Sequence, residues 1–423
     1  MNIITLRILP ICFAILFFVS HTAEIRAVNT NSDLSDTAQL LGGLGLEKTN
    51  IPENIQKNKF IENFQIRMDQ SWKKFNQKLL TPADKWQEEN LKEITSDTLF
   101  YPFSGPDAVN AVKFFPRVHE IIMLGLEKPG EIPTLKNMTA AEIQNGLTKL
   151  EKALSTLIGV NYFFTNSMAE EIGSNSFDGV IAVIMHFLAR TGNDVIKVER
   201  ISLTPDGHEI VLDSAGKPVI QESETNPERK TAQKINGLFK AVKVVFRNKG
   251  AENNDLKKIY YFQLDAIDPS LAKTPEFVNF MLQRNEFATM LKASSYLMFS
   301  KYFDDMRSLI LSRSRFIVQG ASGIPYHFFK KSGEWDLKLF GEFIVPTPLF
   351  EKRCQPDLAA DSKKEQGDLP FNYDYFYPGK KSFLLFAKRK DDWKPSNPKF
   401  DKSDKTGIET FCIKGKLMIQ TDK

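Results

Sequence analysis

Residues 99–126 contain two short apolar segments separated by a turn and a helical pattern. The first segment, residues 99–103, runs into the turn 104–107, and apolar residues at helical spacing follow over 108–115. The second segment, residues 119–126, is an unbroken apolar run. Two strands joined by one helix form a β-α-β unit with parallel strands. Because parallel strands are usually covered by helices on both faces, this pattern predicts an α/β fold with buried central strands.

Helical patterns precede this unit, and antiparallel hairpins follow it. Residues 28–95 are interpreted as a flexible polar lead-in followed by a helical arm, in which apolar residues recur every three or four positions from Phe60. Turn residues between short alternating runs predict antiparallel strands over 195–220 and 241–264. The predicted fold is therefore α/β, with a mixed sheet, an N-terminal β-α-β unit, packed helices and antiparallel hairpin additions.

The second half of the chain combines a helical segment with further strands. Pro275 is expected to open a helical region over 276–313, which is apolar around its circumference and should pack against the sheet. Strands are predicted over 316–319, 335–340 and 382–386, with a closing hairpin over 408–420. The expected division of the chain is a signal peptide (1–27), a flexible lead-in and helical arm (28–95), an α/β domain with an antiparallel meander (96–270) and a helical segment followed by a β-rich region (271–423).

The first 27 residues have the composition of a signal peptide. Arg7 precedes the apolar run 8–19, and the small residues Ala23 and Ala27 follow it. A membrane-spanning helix needs about 20 apolar residues, so removal of this segment is expected rather than anchoring. The chain is thus predicted to be exported to the periplasm, the outer envelope or the medium, with cleavage after either alanine left open.

Export changes the interpretation of the cysteines. Cys12 would leave with the signal peptide, so the mature chain would keep Cys354 and Cys412. An even number of cysteines in an oxidising compartment predicts a disulfide between them. Two unrelated buried thiols are the alternative.

The composition excludes several functional classes. Hydrophobic residues make up 42% and charged residues 26% of the chain, as in folded soluble proteins rather than disordered or multi-span membrane proteins. The 56 basic and 52 acidic residues leave a net charge of +4, which gives no basis for a nucleic-acid partner. No histidines or cysteines have chelating spacing, so neither a metal nor a cofactor is predicted.

The turn of the β-α-β unit is the candidate ligand site, formed by Ser104, Gly105 and Asp107, with Glu127 at the end of the second strand. Ligands of open α/β folds bind beyond the carboxyl ends of parallel strands. Ser104 or Gly105 is expected to cap the following helix, and the two carboxylates favour a polar or singly charged ligand over a highly charged anion. An incomplete nucleotide fingerprint, with one glycine instead of three, and a capped helix without a ligand are the alternatives.

A hydrolase with a serine and a histidine is the rival interpretation. Ser322 and His327 are close in sequence, but no serine elbow of the G-x-S-x-G type is present. Contact of Ser104 or Ser322 with His119 or His327 would favour an enzyme, and separated histidines would favour a binding protein.

A basic segment from Lys388 to Lys405 is a candidate for contact with the envelope surface. It carries Trp393 and Phe400 between its charges. Such a loop can contact anionic lipid or polysaccharide. A solvated loop is the alternative, because acidic residues dilute the charge.

Three segments resemble a family of uncharacterised exported bacterial proteins: the stretch beginning FYPFSGPD and ending GLEKP, the heptapeptide KASSYLM, and IVQGASGIPYHFF. No activity is known for that family, so the resemblance implies export from a bacterium and assigns no catalytic residue. Together with the patterns above, it predicts a binding or structural component of the bacterial envelope, with a periplasmic or secreted hydrolase as the alternative.

Overall fold

A computed structural model describes residues 31–46, 48–160, 177–219, 240–252, 254–343, 353–364, 366–374, 382–400, 408–413 and 416–421. These residues form a ten-stranded mixed sheet with helices on both faces, and a separate two-stranded hairpin. The predicted α/β fold is confirmed. The expected signal peptide lies outside the described residues.

The large sheet has a parallel centre and antiparallel margins. Its strands are β1 (Thr98–Tyr101), β2 (Glu120–Gly125), β3 (Asn193–Leu203), β4 (Glu209–Leu212), β5 (Ala241–Asn248), β6 (Lys257–Gln263), β7 (Phe287–Leu291), β8 (Ser314–Gln319), β9 (Trp335–Gly341) and β10 (Phe383–Arg389). Their spatial order is β4-β3-β5-β6-β2-β1-β7-β8-β10-β9. The central block consists of five parallel strands, in the order β6-β2-β1-β7-β8. All other pairings in the sheet are antiparallel.

The helices divide between the two faces of the sheet. On one face lie α1 (Asn31–Leu41), the short α2 (Glu53–Gln56), α3 (Lys59–Phe75), α4 (Thr81–Asn90), α5 (Ala108–Phe114), α6 (Ala140–Val160) and α7 (Val180–Arg190). On the other lie α8 (Asp268–Leu271), α9 (Pro275–Leu282), α10 (Asp304–Arg313), α11 (Tyr326–Ser332) and α12 (Pro356–Asp361). Alternate residues of β1 separate into the two cores: Leu99 and Tyr101 face the first, and Phe100 faces the second.

The predicted β-α-β unit is present, with the predicted direction. Strand β1 pairs in parallel with β2, from Thr98 opposite Glu120 to Tyr101 opposite Met123, and α5 connects them. From β1 the chain crosses through α5 on one face to reach β2, whereas from β7 it crosses through α10 on the other face to reach β8. The connections therefore leave β1 and β7 in opposite directions. The crevice between these two strands is a topological switch point, where ligands of open α/β folds bind.

The expectation of a flexible lead-in is wrong over residues 31–41. Helix α1 occupies this stretch and packs against α7 and β3. Leu34, Ala38, Leu40 and Leu41 are buried in the first core. The helix is too short and polar to be stable alone, so tertiary packing determines its structure.

A second expectation, a helical region over 276–313, is wrong over residues 287–291. The structure has α9, then strand β7, then α10. All five residues of β7 are buried, and β7 lies at the centre of the sheet beside β1. A strand that is apolar on both faces has no alternation, so periodicity alone cannot distinguish it from a buried helix.

The carboxyl-terminal region shares the same sheet. Strands β7 and β8 continue the parallel block that begins with β6, β2 and β1, so the sheet crosses the boundary expected near residue 270. The predicted closing hairpin is present as β11 (Ile408–Ile413) paired antiparallel with β12 (Lys416–Thr421). Strand β11 contacts the turn Leu297–Phe299 of the main body.

Candidate functional site

The four predicted site residues lie together at the carboxyl edge of β1 and β2. Both the amide of Gly105 and the hydroxyl of Ser104 donate hydrogen bonds to the carbonyl of Leu124, over 3.1 and 3.0 Å. Built onto Gly105, a Cβ atom would contact only the carboxylate oxygens of Glu127, at 3.7 and 4.0 Å. The loops after β1 and β2 therefore converge at Gly105, and the Glu127 carboxylate is the group that a side chain added there would meet.

The expected helix cap is wrong: Asp107 caps α5, and neither Ser104 nor Gly105 does. Its Oδ1 atom accepts hydrogen bonds from the backbone amide of Asn110 at 3.3 Å and from the side-chain amide at 2.8 Å. A carboxylate is a strong cap because it also interacts favourably with the helix dipole. Because Asp107 accepts from the Asn110 amide, that amide is not available to an anionic ligand.

Asp107 also forms a buried ion pair that sequence reasoning missed. Lys292, the first residue after β7, places Nζ 3.3 Å from Oδ2 of Asp107, and their side chains are 1% and 3% exposed. The hydroxyl of Tyr101 donates to the same oxygen over 2.9 Å. Burial, reinforced by the charge of Asp107, raises the pKa of Tyr101 well above its usual value, so this hydroxyl stays protonated and donates.

The signal that could have identified Lys292 is its position directly after the apolar run of β7. A lysine is almost never fully buried unless it is paired. The misassignment of β7 as helix hid the position of Lys292 at a strand end. Its pairing with Asp107, 185 positions away, has no local signature.

Glu127 has different surroundings. It is 5% exposed, and its carboxylate accepts a hydrogen bond of 3.3 Å from the hydroxyl of Tyr261, which also donates to its carbonyl at 2.7 Å. Gly125 is required beside this pair, because a Cβ there would lie 2.5 Å from the Tyr261 hydroxyl and 2.6 Å from Oε2 of Glu127. Within the part of the chain that the structure describes, Glu127 forms no ion pair.

Strained backbone is concentrated in the two loops at the switch point. Among the described residues, positive φ angles outside glycine occur at Phe103, Ala293, Ser295 and Tyr296, with values from 50° to 61°. Phe103 lies in the loop after β1, and the others lie in the loop after β7. Non-glycine residues in this conformation are uncommon, and strained backbone tends to cluster at functional sites.

Two buried serines occupy matching positions in neighbouring loops. Ser294 follows the end of β7 by three residues, as Ser322 follows the end of β8, and the strand ends Leu291 and Gln319 lie opposite each other. The two side chains are 0% and 1% exposed, and their hydroxyls have no hydrogen-bond partner among the described residues. A buried hydroxyl without a partner is costly.

The contacts of His119 and His327 are with groups other than Ser104 and Ser322. His119 lies near the start of β2 and pairs with Asp97, at the opposite edge from Ser104. The ring of His327 packs against Phe328, with centroids 4.3 Å apart, and burial together with nearby Arg307 lowers its pKa to about 4. No serine to histidine hydrogen bond occurs among the described residues for Ser104 or Ser322.

The other two histidines have structural surroundings. His186 is buried in α7 and bonds the carbonyl of Leu41 through Nδ1 at 2.8 Å. His208 lies in the turn between β3 and β4, where it pairs with Asp206. Neither is near the loops of the switch point.

The basic segment after β10 folds back onto the protein over residues 390–400. The Trp393 ring lies 4.7 Å from the Arg389 guanidinium and 5.2 Å from that of Arg315. The amide of Ser396 donates to the carbonyl of Ser312 in α10. Trp393 is therefore held by cations of the chain itself, while residues 401–405 lie outside the described part.

Cys354 is half-buried next to α12 and, with Phe299, lines a small cavity. Cys412 belongs to β11, opposite Leu417, and its side chain is outside the described residues. Because β11 contacts the turn that carries Phe299, the region of Cys412 approaches the region of Cys354. The disulfide stays a prediction.

The described residues contain no cluster of three or more His, Cys, Asp or Glu side chains that could hold a metal ion. None of the helices in this part of the chain is long and apolar enough to cross a membrane. The chain matches no family model, and no curated protein or solved structure shows significant similarity to it.

Proposed function

We propose that this chain is an exported bacterial envelope protein that binds a small polar ligand, without catalysis, at the carboxyl edge of β1 and β2. The observation that carries the proposal is the position of the Glu127 carboxylate beside Gly105. A buried carboxylate lies beside a glycine with room for a Cβ atom and has no cationic partner among the described residues. Buried carboxylates are normally paired or well hydrogen-bonded, and a ligand would supply the missing donors.

The charges around this site indicate the ligand's chemistry. Asp107 is neutralised by Lys292 and bonded by Tyr101 and Asn110, whereas Glu127 has one long hydrogen bond from Tyr261. The available group is therefore an acceptor with a negative charge. The proposed ligand is a neutral or singly positive molecule with amino or hydroxyl donors.

The lack of serine–histidine hydrogen bonds among the described residues favours binding over hydrolysis. Ser104 donates its hydroxyl to backbone carbonyls, and the hydroxyl of Ser322 contacts no base. His119 lies at the opposite edge of the sheet. Nucleophilic catalysis by serine requires a base within hydrogen-bond reach, and these pairs do not provide one.

The test compares two glycine variants of the full mature protein. Native mass spectrometry of protein purified from envelopes without denaturation identifies a retained ligand, and calorimetry measures its affinity. Gly105→Asn places an amide against Glu127, and asparagine tolerates the φ of +51° at this position. We expect at least a tenfold loss of affinity.

The matched control is Gly216→Asn. Gly216 has a φ of +76°, and a Cβ atom added there would have no other atom within 4 Å. This variant should bind as the parent does. Equal affinity of the Gly105→Asn and Gly216→Asn variants would show that the ligand binds elsewhere.

A further inference from the structure

The outermost strand of the sheet, β9, borders an open groove of about 890 Å³. The groove is lined by residues of β9 itself, by α11 and by the segment around Gly367. It lies at the margin of the sheet, far along the strand order from β2. It is therefore distinct from the site at Glu127.

The hydrogen bonds of β9 show which of its backbone groups face this groove. The carbonyl of Glu334 accepts from the Lys390 amide, and the amide of Glu342 donates to the Ser382 carbonyl. In an antiparallel pair, alternate residues bond the neighbouring strand, so the even-numbered residues of β9 bond β10. The odd-numbered residues, including Leu337, direct their amides and carbonyls away from β10.

Gly367 already forms hydrogen bonds with some of these outward-facing backbone groups of β9. The Gly367 amide donates to the Leu339 carbonyl over 2.8 Å, and the Gly341 amide donates to the Gly367 carbonyl over 2.9 Å. This is a parallel bridge beside Phe340. Within the described chain, the amide and carbonyl of Leu337 have no such partner. The outward-facing side of β9 from Trp335 to Leu339 is thus an open sheet edge, and it adjoins the bridge between Phe340 and Gly367.

The rim of the groove is predominantly basic. Four lysines line it against two aspartates: Lys330, Lys338, Lys364 and Lys390, with Asp336 and Asp361. Asp361 is engaged by Lys330 and Lys364, and Lys338 pairs with Glu93. The Lys390 side chain pairs with no described carboxylate. An incoming strand would therefore meet free backbone groups with positive charge beside them.

We propose that β9 binds an extended, acidic peptide segment of a partner protein by strand addition. Strand addition obtains affinity from main-chain hydrogen bonds and selectivity from the flanking side chains. The lysine rim selects acidic residues. A second copy of this chain is a poorer occupant, because antiparallel self-pairing centred on Leu337 would place residue 334 of the copy beside Phe340, where Gly367 lies.

The test uses a fluorescein-labelled decapeptide of alternating glutamate and valine as the probe, with the matching lysine and valine peptide as its counterpart. Fluorescence anisotropy should show binding of the glutamate peptide, weakened by raising salt from 50 to 500 mM, and at least tenfold weaker binding of the lysine peptide. Hydrogen exchange should show new protection at the amides of Leu337 and Leu339. Absence of binding, equal binding of both peptides, or protection confined to other regions would overturn the proposal.

Variants of β9 distinguish strand addition from non-specific electrostatic attraction between the peptide and the lysines. Leu337→Pro removes an outward amide that makes no bond to β10, and proline is tolerated on edge strands; it should weaken peptide binding at least tenfold. Leu337→Val keeps the amide and should bind as the parent does. Full binding by a folded Leu337→Pro protein would contradict strand addition.

A charge variant keeps the test decisive if Leu337→Pro does not fold. Lys390→Glu should weaken binding several-fold, whereas Lys249→Glu, in the exposed turn after β5, should not. Equal effects of both substitutions would overturn the role of the lysine rim. A dimer of the parent that Leu337→Pro dissociates would instead show that a second copy occupies β9.

Discussion

The Nζ atom of Lys292 lies 3.3 Å from Oδ2 of Asp107, and this contact joins the loops after β7 and β1 across the switch point of the sheet. Asp107 also caps α5 and accepts from Tyr101. One carboxylate thus connects a central strand, its crossover helix and the neighbouring strand. The pair holds the ends of β1 and β7 in register beside the proposed ligand site.

We expect Lys292→Met to destabilise the protein by about 3–5 kcal/mol, because removing one member of a buried ion pair leaves the other charge uncompensated. Urea denaturation measures the change. The Lys292→Met, Asp107→Asn double variant should lose less than the sum of the single losses, since asparagine keeps the helix cap and removes the isolated charge. A loss below about 1 kcal/mol in Lys292→Met would contradict the structural importance of the pair.

Protein stability should decrease in mild acid because of His186. Burial lowers the pKa of this histidine to about 3, against 6.5 for the ordinary side chain. The unfolded chain therefore binds a proton below pH 6.5 that the folded chain does not bind until about pH 3. The stabilisation of the folded state by neutral His186 is complete above pH 6.5, and it is lost as the pH falls from 6.5 towards about 3.

Urea denaturation at pH 7.0, 6.0 and 5.0 measures this dependence. One proton changes the free energy of unfolding by up to about 1.4 kcal/mol per pH unit. The slope should fall in His186→Gln, which lacks the titration and keeps a donor for the Leu41 carbonyl. His208→Gln, in an exposed turn, is the control. An unchanged slope in His186→Gln would refute the assignment.

The predicted disulfide between Cys354 and Cys412 should stabilise the protein by about 4 kcal/mol, for a loop of about 58 residues in the chain-entropy model. Nonreducing peptide mapping of exported protein should recover the two cysteines in one linked peptide. Recovery of both as free thiols would refute the pairing.

Loss of this bond should also loosen the loop after β8. Gln355, next to Cys354, donates to the Ala321 carbonyl and accepts from the Tyr326 amide, each over 2.8 Å. Cys354→Ser should therefore increase hydrogen exchange at Tyr326. Gln355→Ala should reproduce that local effect with the disulfide intact.

The mature protein is expected to begin shortly before α1. Intact-mass measurement of protein from the native envelope should show loss of residues up to Ala23 or Ala27, which leaves α1 complete. A variant that begins at residue 42 should be strongly destabilised, because it lacks the buried Leu34, Leu40 and Leu41. A mature chain that still starts at Met1 would refute export by this signal.

Local sequence patterns determined much of the fold. The turn and apolar runs of 99–126 predicted β1, α5 and β2 and their parallel pairing, because adjacent elements joined by a short connection have few possible arrangements. A capping box precedes α6: the hydroxyl of Thr139 accepts from the Glu142 amide, and the Glu142 carboxylate accepts from the Thr139 amide. Capping depends on residues three positions apart, so it can be recognised in the sequence.

Tertiary structure alone decided the identity of β7 and the surroundings of the site. A segment buried on both faces carries no periodic signal, so only its position between β1 and β8 makes 287–291 a strand. The contact of Lys292 with Asp107, the approach of Gly105 to Glu127 and the open edge of β9 all depend on which strands are neighbours. Residues 104, 105, 107 and 127 could be proposed from the sequence because they belong to one β-α-β unit. Lys292 could not, because its burial is stabilised by a charge that the chain brings near it only when the sheet is complete.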